Sequence, residues 1–335
     1  MGIKIGNIET CNNVFLAPMS GITDEPFRAI AHEAGAGLVV SEMVASEELV
    51  RERPDMMRRA RGHKKLTPFV MQLAGREAKW MSEGTRVAQD LGADIIDINM
   101  GCPARQVTGG LSGSALMRDL DHALTLIEAT IAAAKVPVTL KMRLGWDEKM
   151  LNAPELARRA EQAGIALITV HGRTRCQFYT GKADWNAIRA VREAIKIPLI
   201  ANGDGQSVED ARAMMAASGA DGIMIGRGSY GRPWWPGVVA EKLKTDSGTV
   251  EPTLEEEQNY LLTQQEGTLA LYGEIFGNRT FRKHLGWTIT RLQHRHIITQ
   301  ENSEHLRSTL LREPDNQKVR DGIQKIYRDH LDKAA

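Results

Sequence analysis

The feature that most constrains the fold is a repeated order of strand and helix. Eight short apolar runs, rich in β-branched residues, occur between Val14 and Ile225, and helical patterns lie between most of them. The runs cover residues 14–17, 37–41, 69–73, 95–99, 136–143, 166–171, 197–201 and 222–225. Strands that alternate with helices form parallel sheets, and eight such units match an α/β fold of the (β/α)8 TIM-barrel type. An open doubly wound sheet is the alternative, but polar residues at the strand ends favour the closed barrel.

This pattern stops after Trp235, and the rest of the chain has a different character. Residues 244–251 include Ser and Gly and predict a linker. From Pro252 onward the chain is rich in Gln, Glu, Leu and Arg, and its apolar residues have helical spacing. We therefore expect a TIM-barrel catalytic domain over residues 1–243, a linker over 244–251 and a smaller all-helical domain over 252–335.

Composition and charge narrow the class of protein. The chain has 335 residues, of which 42% are hydrophobic, and a formal net charge of +1, so local basic patches would have to hold any nucleic acid. The three cysteines show no Cys-x-x-Cys spacing, which argues against a disulfide framework or a metal site. No stretch has the length of a membrane span. We expect a cytoplasmic protein without metal or membrane partners, and a monomer, although the sequence leaves the oligomeric state open.

The motif Asn-Met-Gly-Cys-Pro at residues 99–103 places a thiol directly after the fourth strand. Catalytic groups of such barrels lie at the carboxyl ends of the strands, so Cys102 is predicted to meet a substrate there. A loop with an incidental cysteine is the alternative for this motif alone. Further polar residues at the predicted strand ends strengthen the functional interpretation; they are Gln72, Asn99, Lys141, Arg143 and His171.

Glycine-containing loops follow the last two strands, at residues 202–205 and 226–228. Barrels that bind phosphorylated ligands use these two loops, and Arg227 adds a forked cationic contact. A flavin mononucleotide fits this pattern, because a lysine such as Lys141 stabilises the anionic reduced flavin. Residues 226–231 also match Gly-x-Gly-x-x-Gly, but Pro233 and Pro236 interrupt the following helix, so a dinucleotide-binding fold is not predicted.

Several ordered motifs resemble those of the tRNA-dihydrouridine synthases, most closely their bacterial DusB type. The motifs are LAPMSGITDEPFR at 16–28, SEM at 41–43, DINMGCP at 97–103, LKMRLGW at 140–146, HGRTR at 171–175 and ANGD at 201–204. The resemblance covers the barrel and extends into the helical domain. It implies that the protein reduces the C5–C6 double bond of particular uridines in tRNA, with NADPH as the reductant of bound FMN.

The resemblance also implies residue roles. Cys102 would protonate uracil C5 while hydride passes from flavin N5 to C6, and Asn99 and His171 would orient the base and the ring. Lys141 would lie at the N1/O2 edge of the flavin. The residues expected to bind the cofactor are Pro18, Met19, Ser20, Gln72, Lys141, Arg143, His171, Asn202, Gly203, Asp204, Gly226 and Arg227.

Two basic runs are candidates for contacts with RNA phosphates. One spans residues 279–312 and the other spans residues 51–65, where it includes Lys64 and Lys65. Solvated charged faces are the alternative for both runs, and the resemblance favours RNA. The residues expected to bind RNA are Arg279, Arg282, Lys283, Arg291 and Arg295.

Two other functions remain open from the sequence. A flavin barrel that acts on a free pyrimidine, similar to dihydroorotate dehydrogenase, shares the Asn, Lys and phosphate-loop pattern but does not need a basic helical domain. A binding protein with a vestigial barrel would not need the nearly complete set of catalytic residues. The sequence does not identify which uridine or which tRNAs are modified, or whether NADPH is preferred over NADH.

Overall fold

The chain folds around a parallel barrel. A computed structural model describes residues 2–62, 66–245 and 251–331. Its strands are β1 Lys4–Ile5, β2 Ile8–Glu9, β3 Val14–Leu16, β4 Leu38–Val39, β5 Val44–Ala45, β6 Val70–Ala74, β7 Ile95–Met100, β8 Val138–Arg143, β9 Leu167–His171, β10 Leu199–Asn202 and β11 Gly222–Ile225. The helices of the barrel are α1 Glu25–Glu33, α2 Ser46–Val50, α3 Pro54–Arg59, α4 Ala78–Asp90, α5 Arg105–Gly109, α6 Leu120–Ala133, α7 Ala153–Ala163, α8 Trp185–Ala194, α9 Val208–Ser218 and α10 Trp235–Thr245.

The sheet closes through a strand that is broken in two. Nine parallel segments lie in the order β4-β3-β11-β10-β9-β8-β7-β6-β5, so β4 and β5 stand at its two ends. β4 lies within the second predicted strand, residues 37–41, whereas β5 follows it at Val44–Ala45 and was not predicted. A parallel bridge between Val40, directly after β4, and Val70 joins this end of the sheet to β6. The Ser41 N–H also donates to the Val70 carbonyl at 3.0 Å. The TIM-barrel prediction is therefore confirmed.

Local sequence signals account for where the helices begin and end. Asp24 caps α1 by accepting from the Phe27 N–H, and Pro26 occupies the first turn. Ser207 and Asp210 form a reciprocal capping box on α9. Gly164 and Gly219 end α7 and α9 in the left-handed conformation that glycine adopts at low cost.

Apolar side chains fill the barrel from its amino-terminal end. The hairpin of β1 and β2 inserts Ile3 and Ile5 among residues at the starts of the strands, including Val70 and Leu167. A second core lies between the sheet and the surrounding helices. Because the amino-terminal end is packed with apolar groups, the polar inward-facing residues are left at the carboxyl ends of the strands.

Four further helices form the carboxyl-terminal part: α11 Leu254–Tyr272, α12 Glu274–His294, α13 Gln300–Thr309 and α14 Asn316–Leu331. They share a core that includes Phe281, Ile289 and Ile323. Helix α10 continues through Thr245, so it includes the first two residues of the predicted linker, and residues 246–250 lie outside the described residues. Trp287 of α12 stacks on Tyr230 after the last barrel strand, with ring centroids 4.0 Å apart.

Candidate active site

A cavity of about 510 Å³ opens at the carboxyl ends of the strands. Every residue predicted to bind the cofactor or to act in catalysis lines it: Pro18, Met19, Ser20, Gln72, Asn99, Cys102, Lys141, Arg143, His171, Asn202, Gly203, Asp204, Gly226 and Arg227. A larger cavity of about 1060 Å³ lies near the amino ends of the strands, beside Asn13 and Asp221. Because parallel barrels carry their chemistry at the carboxyl ends, the smaller cavity is the candidate active site. We call it the strand-end cavity.

Gln72 and Asn99 belong to a buried chain of hydrogen bonds. Gln72 lies in the middle of β6 and not at its end as predicted, because β6 continues to Ala74. Its Nε2 donates to the Asp97 carboxylate at 2.7 Å, and its Oε1 accepts from Asn99 Nδ2 at 2.7 Å. The Thr139 hydroxyl donates to the other oxygen of Asp97 at 2.6 Å. This chain of side chains crosses β6, β7 and β8.

The Cys102 thiol lies in a loop that is tied to this chain. Asn99 Oδ1 accepts from the backbone N–H of Cys102 at 3.0 Å and of Gly101 at 3.2 Å. The Cys102 carbonyl accepts from the N–H and the hydroxyl of Ser114. Burial raises the pKa of Cys102, while the Ala104 N–H and the positive charges of Arg143 and Lys141 act against the rise. The thiol therefore holds its proton at neutral pH.

Lys141 is a buried cation between the thiol and the last strands. Its Nζ donates to Asn202 Oδ1 at 3.1 Å. An ammonium has three N–H donors, and this is the single hydrogen bond of Nζ among the described residues. Burial, followed by the charge of Arg143, lowers the pKa of Lys141 to about 8. The side chain stays mostly charged at neutral pH and keeps donors for a group in the strand-end cavity.

His171 is neutral at physiological pH. Burial lowers its pKa well below 6.5, and the charges of Arg143, Lys141 and Arg173 act in the same direction. Its Nε2 lies 3.3 Å from a guanidinium nitrogen of Arg173, which can only donate, so we assign the ring proton to Nδ1. A Cβ at Gly203 would lie 2.9 Å from the His171 ring, so this position needs glycine.

Asp204, in the loop after β10, pairs with cations from the loops after β9 and β11. The Asp204 carboxylate accepts from Arg173 at 2.6 Å and from Arg227 at 3.1 Å. Burial alone would raise the pKa of Asp204, but these guanidinium groups and the Ala183 N–H lower it. Asp204 thus orients two cations, and Arg227 remains 43% exposed at the cavity. A Cβ at Gly228 would lie 2.5 Å from the Gly205 carbonyl, so the loops after β10 and β11 approach closely.

The structure adds residues that the sequence did not indicate. Arg173 is buried and joins His171 to Asp204. Tyr179 is 45% exposed, and its ring lies beneath the guanidinium carbons of Arg143 and Arg227 at 5.5 Å and 5.2 Å. Arg173 lies within the HGRTR motif, so its motif was a usable signal. Tyr179 belongs to a loop without a recognisable pattern, and only the fold brings it to the cavity.

Most cations predicted to bind RNA have partners within the protein. Arg291 and Arg295 both contact Glu257, which is fully buried, and each does so at 2.5 Å. Arg282 donates to Asn278 and to the Glu313 carbonyl. Lys283 donates to the Gly21 carbonyl beside the strand-end cavity.

Arg279 differs from these four because its contact is with an exposed ring. Its guanidinium lies 5.9 Å from the centroid of Phe276, which is 66% exposed. In the second basic run, Arg58 lies over Tyr272 at 5.0 Å, next to the start of α12. Lys64 and Lys65 lie outside the described residues. Arg58 of the second basic run thus contacts the end of α11, two residues before α12 begins.

A match to a family model shows which protein family the chain belongs to. The family model "Dihydrouridine synthase (Dus)" matches residues 15–323. The chain belongs to the dihydrouridine synthase family. This Dus chain is 58% identical over 280 residues to a probable tRNA-dihydrouridine synthase of Rhizobium leguminosarum bv. phaseoli, covering 84% of the chain and 86% of the relative. It is 43% identical over 286 residues to tRNA-dihydrouridine synthase B of Pseudomonas putida, covering 85% of each protein, which confirms the expected DusB-like type.

Solved structures with the same fold include two oxidoreductases. Morphinone reductase in complex with tetrahydroNAD has a TM-score of 0.53 at 14% identity, covering 77% of the Dus chain and 93% of that structure. Histamine dehydrogenase from Rhizobium sp. 4-9 has a TM-score of 0.55 at 15% identity, covering 73% and 47%. At these identities the likeness shows the barrel fold alone. Within residues 2–62, 66–245 and 251–331, no helix combines the length and apolar character that crossing a bilayer requires.

Proposed function

We propose that the protein is an FMN-dependent tRNA-dihydrouridine synthase that reduces the C5–C6 double bond of specific uridines with NADPH, in the cytoplasm. One observation carries the proposal: the Cys102 thiol, the buried Lys141 ammonium and the loops with Arg227 all line the same strand-end cavity. These are a proton donor, a cation for an electron-rich ring and an anion site. Membership of the Dus family supports the same reaction.

The residues present fit FMN. The loops at Gly203 and Gly226 line the cavity beside Arg227, which suits one terminal phosphate. At the other end of the cavity, Lys141 keeps donors that no described residue uses, and Gln72 and Asn99 supply amides. Pro18, Met19 and Ser20 would line the ring. When bound, the flavin would supply the hydride that adds to uracil C6.

Cys102 would supply the proton. A uracil C5–C6 bond accepts hydride poorly unless C5 gains a proton as negative charge develops there. The thiol keeps its proton at neutral pH because burial raises its pKa. Asn99 holds the backbone of the Cys102 loop, and His171, uncharged, would orient the ring system without adding a positive charge. The base has to leave its stack to reach this cavity, which costs a few kcal/mol.

RNA contacts elsewhere would offset that cost. Lys283 of α12 contacts Gly21, which lies between the cavity-lining residues Ser20 and Ile22, so this part of α12 lies beside the mouth. Seven residues towards its start, Phe276 presents an exposed ring beside Arg279. Aromatic and cationic side chains together suit unstacked bases and phosphates. We therefore place the RNA contact at Phe276 and Arg279, with Arg58 over Tyr272 as a further candidate. We assign Arg291 and Arg295 mainly to holding Glu257.

The cofactor tests the proposal first. Purified protein should carry a flavin absorption spectrum, and denaturation should release FMN and not FAD, because the strand-end cavity has one anion site. Arg227→Ala should weaken FMN retention by about tenfold to a hundredfold, since a hydrogen bond to a charged group contributes ~1.5–3 kcal/mol. Arg86→Ala, at an exposed position of α4 that does not line the cavity, is the matched control. Release of FAD, or of no flavin, would overturn the proposal.

A further inference from the structure

We propose that Asp97 is a positioning residue that sets which way the Gln72 and Asn99 amides face, and through them holds the Cys102 loop. Asp97 does not line the strand-end cavity, and it is 4% exposed. Its importance for catalysis rests on the proposed function. Its effect on the loop does not, because that effect depends only on hydrogen bonds within the chain.

The register of the strands places the hydrogen-bonded side chains next to one another. Gln72 of β6 pairs with Asp97 of β7, and Asp97 pairs with Thr139 of β8. Asp97 and Asn99 are two residues apart on β7, so their side chains lie on the same face, inside the barrel. All four side chains are at least nine-tenths buried. Water therefore competes little for these hydrogen bonds, and an unpaired member would be costly.

The two ends of this chain have opposite hydrogen-bonding character. At one end the Asp97 carboxylate can only accept: it accepts hydrogen bonds from the Gln72 amide at 2.7 Å and from the Thr139 hydroxyl at 2.6 Å. At the other end the N–H groups of Gly101 and Cys102 can only donate, and both donate to Asn99 Oδ1. Between them, Asn99 Nδ2 donates to Gln72 Oε1 at 2.7 Å.

Each amide has two possible orientations, and only one combination satisfies every junction. If the Gln72 amide turned over, its oxygen would face the Asp97 carboxylate and its nitrogen would face Asn99 Nδ2. If Asn99 turned over, its nitrogen would face the donors of the Cys102 loop. The acceptor at Asp97 and the donors in the loop thus select the same arrangement. Asp97 thereby decides which amide atoms the strand-end cavity presents and keeps the Asn99 oxygen on the loop.

This role depends on hydrogen-bond polarity rather than on charge, and substitutions separate the two. In Asp97→Asn, the new amide can give its oxygen to Gln72 and its nitrogen to Thr139, whose hydroxyl also accepts. Thr139→Val alone does not affect the Asp97 oxygen that accepts from Gln72. Each single variant should therefore keep the hydrogen bonds from Asp97 to the Cys102 loop intact. The double variant should lose them. Without the Thr139 hydroxyl, the amide introduced at position 97 either leaves its N–H₂ group buried without a partner or turns that group towards the Gln72 N–H₂ group, so that two donors face each other.

The test is the alkylation of Cys102 in the purified full-length protein. Iodoacetamide labelling is followed by mass spectrometry, with the exposed Cys11 and Cys176 as internal controls in the same molecules. Rates are compared on the alkaline plateau, where each thiol is ionised, so that they report access and not pKa. The Asp97→Asn, Thr139→Val double variant should label at Cys102 about tenfold faster than either single variant, as expected for one lost buried hydrogen bond.

The control double variant, Asp97→Asn with Thr139→Ser, keeps the hydroxyl and should label at the parental rate. If the valine double variant fails to fold, Asn99→Asp serves instead. This variant keeps an oxygen that accepts from the Gly101 and Cys102 N–H groups, but its second oxygen faces Gln72 Oε1, which is also an acceptor. It should therefore also increase the labelling rate at Cys102. Additive effects, or an Asp97→Asn variant as fast as the double variant, would overturn the proposal. Absence of flavin in the parent would contradict only the proposed function, since labelling needs neither flavin nor tRNA.

Discussion

At the residue scale, burial decides the protonation state of the groups in the strand-end cavity. Burial raises the pKa of the Cys102 thiol and lowers that of His171, so both are uncharged at neutral pH. Burial also lowers the pKa of Lys141, but only to about 8. The charged ammonium of Lys141, a neutral imidazole and a protonated thiol are therefore present together, beside the guanidinium groups of Arg143 and Arg227. That combination suits a reaction in which negative charge develops on a ring and a proton is then delivered.

Lys141 should set the alkaline limit of activity. Because its pKa is lowered, it loses its proton as pH rises through about 8, whereas an unperturbed lysine would keep it to ~10.4. The rate of dihydrouridine formation at saturating tRNA should fall over that range. A flavin-loaded Lys141→Arg variant should shift the fall to higher pH, since a guanidinium stays charged to pH ~12. The same alkaline fall in both proteins would show that another group titrates.

At the element scale, α12 joins the helical part to the barrel and also carries the proposed RNA contact. Its inner face contributes Phe281 and Ile289 to the core, while Trp287 stacks on Tyr230 and Lys283 contacts Gly21. Its first turn presents Ile275 and Phe276 to solvent. Cationic residues of this one helix thus have different roles: Arg279 is proposed to contact RNA, whereas Arg291 holds the buried Glu257. Charge reversal at Arg279 and at Arg291 should therefore have different effects.

Reversal at the start of α12 should affect RNA. The double variant Phe276→Ala, Arg279→Glu should bind tRNA about tenfold more weakly or worse, because a stacked base contributes ~1–3 kcal/mol. The salt dependence of binding should also become shallower, by about one counterion per lost phosphate contact. The matched control is Arg86→Glu on α4 with Leu91→Ala, an exposed apolar residue directly after that helix. Flavin reduction by NADPH should be unchanged, and unaltered tRNA affinity would contradict the assignment.

Reversal at Arg291 should instead destabilise the fold. Glu257 is fully buried, and Arg291, itself 12% exposed, contacts it at 2.5 Å. Arg291→Glu should lower the free energy of unfolding by about 3 kcal/mol, the low end for a broken buried pair, because Arg295 remains in place. Urea denaturation of this variant beside Arg279→Glu, which should stay close to the parent, measures the difference. Equal stability of the two variants would show that the Glu257 contacts contribute little.

At the scale of the whole molecule, the sequence predicted the barrel and the contents of its cavity because both depend on local patterns. The strands are continuous apolar runs, and their polar ends, from Asn99 to His171, fall on one edge of any parallel barrel. Partners across the fold have no such signature. The interruption between β4 and β5, the Tyr179 loop, and the capture of Arg291 by Glu257 depend on tertiary contacts, so the sequence did not reveal them.

The molecule as a whole is proposed to bring a tRNA base, held partly by α12, to a thiol at the end of β7. Cys102→Ala isolates that thiol. It should leave the fold, the FMN content and flavin reduction by NADPH intact, because none of them requires a proton at uracil C5.

The deciding measurement is dihydrouridine formation by Cys102→Ala on tRNA that lacks the modification, with Cys11→Ala and Cys176→Ala as matched controls at exposed positions. The Cys102→Ala rate should fall by ~10²–10⁴-fold, as expected for the loss of a general acid, while both controls stay near the parental rate. A Cys102→Ala enzyme that forms dihydrouridine at the parental rate would contradict the proposed role of this thiol.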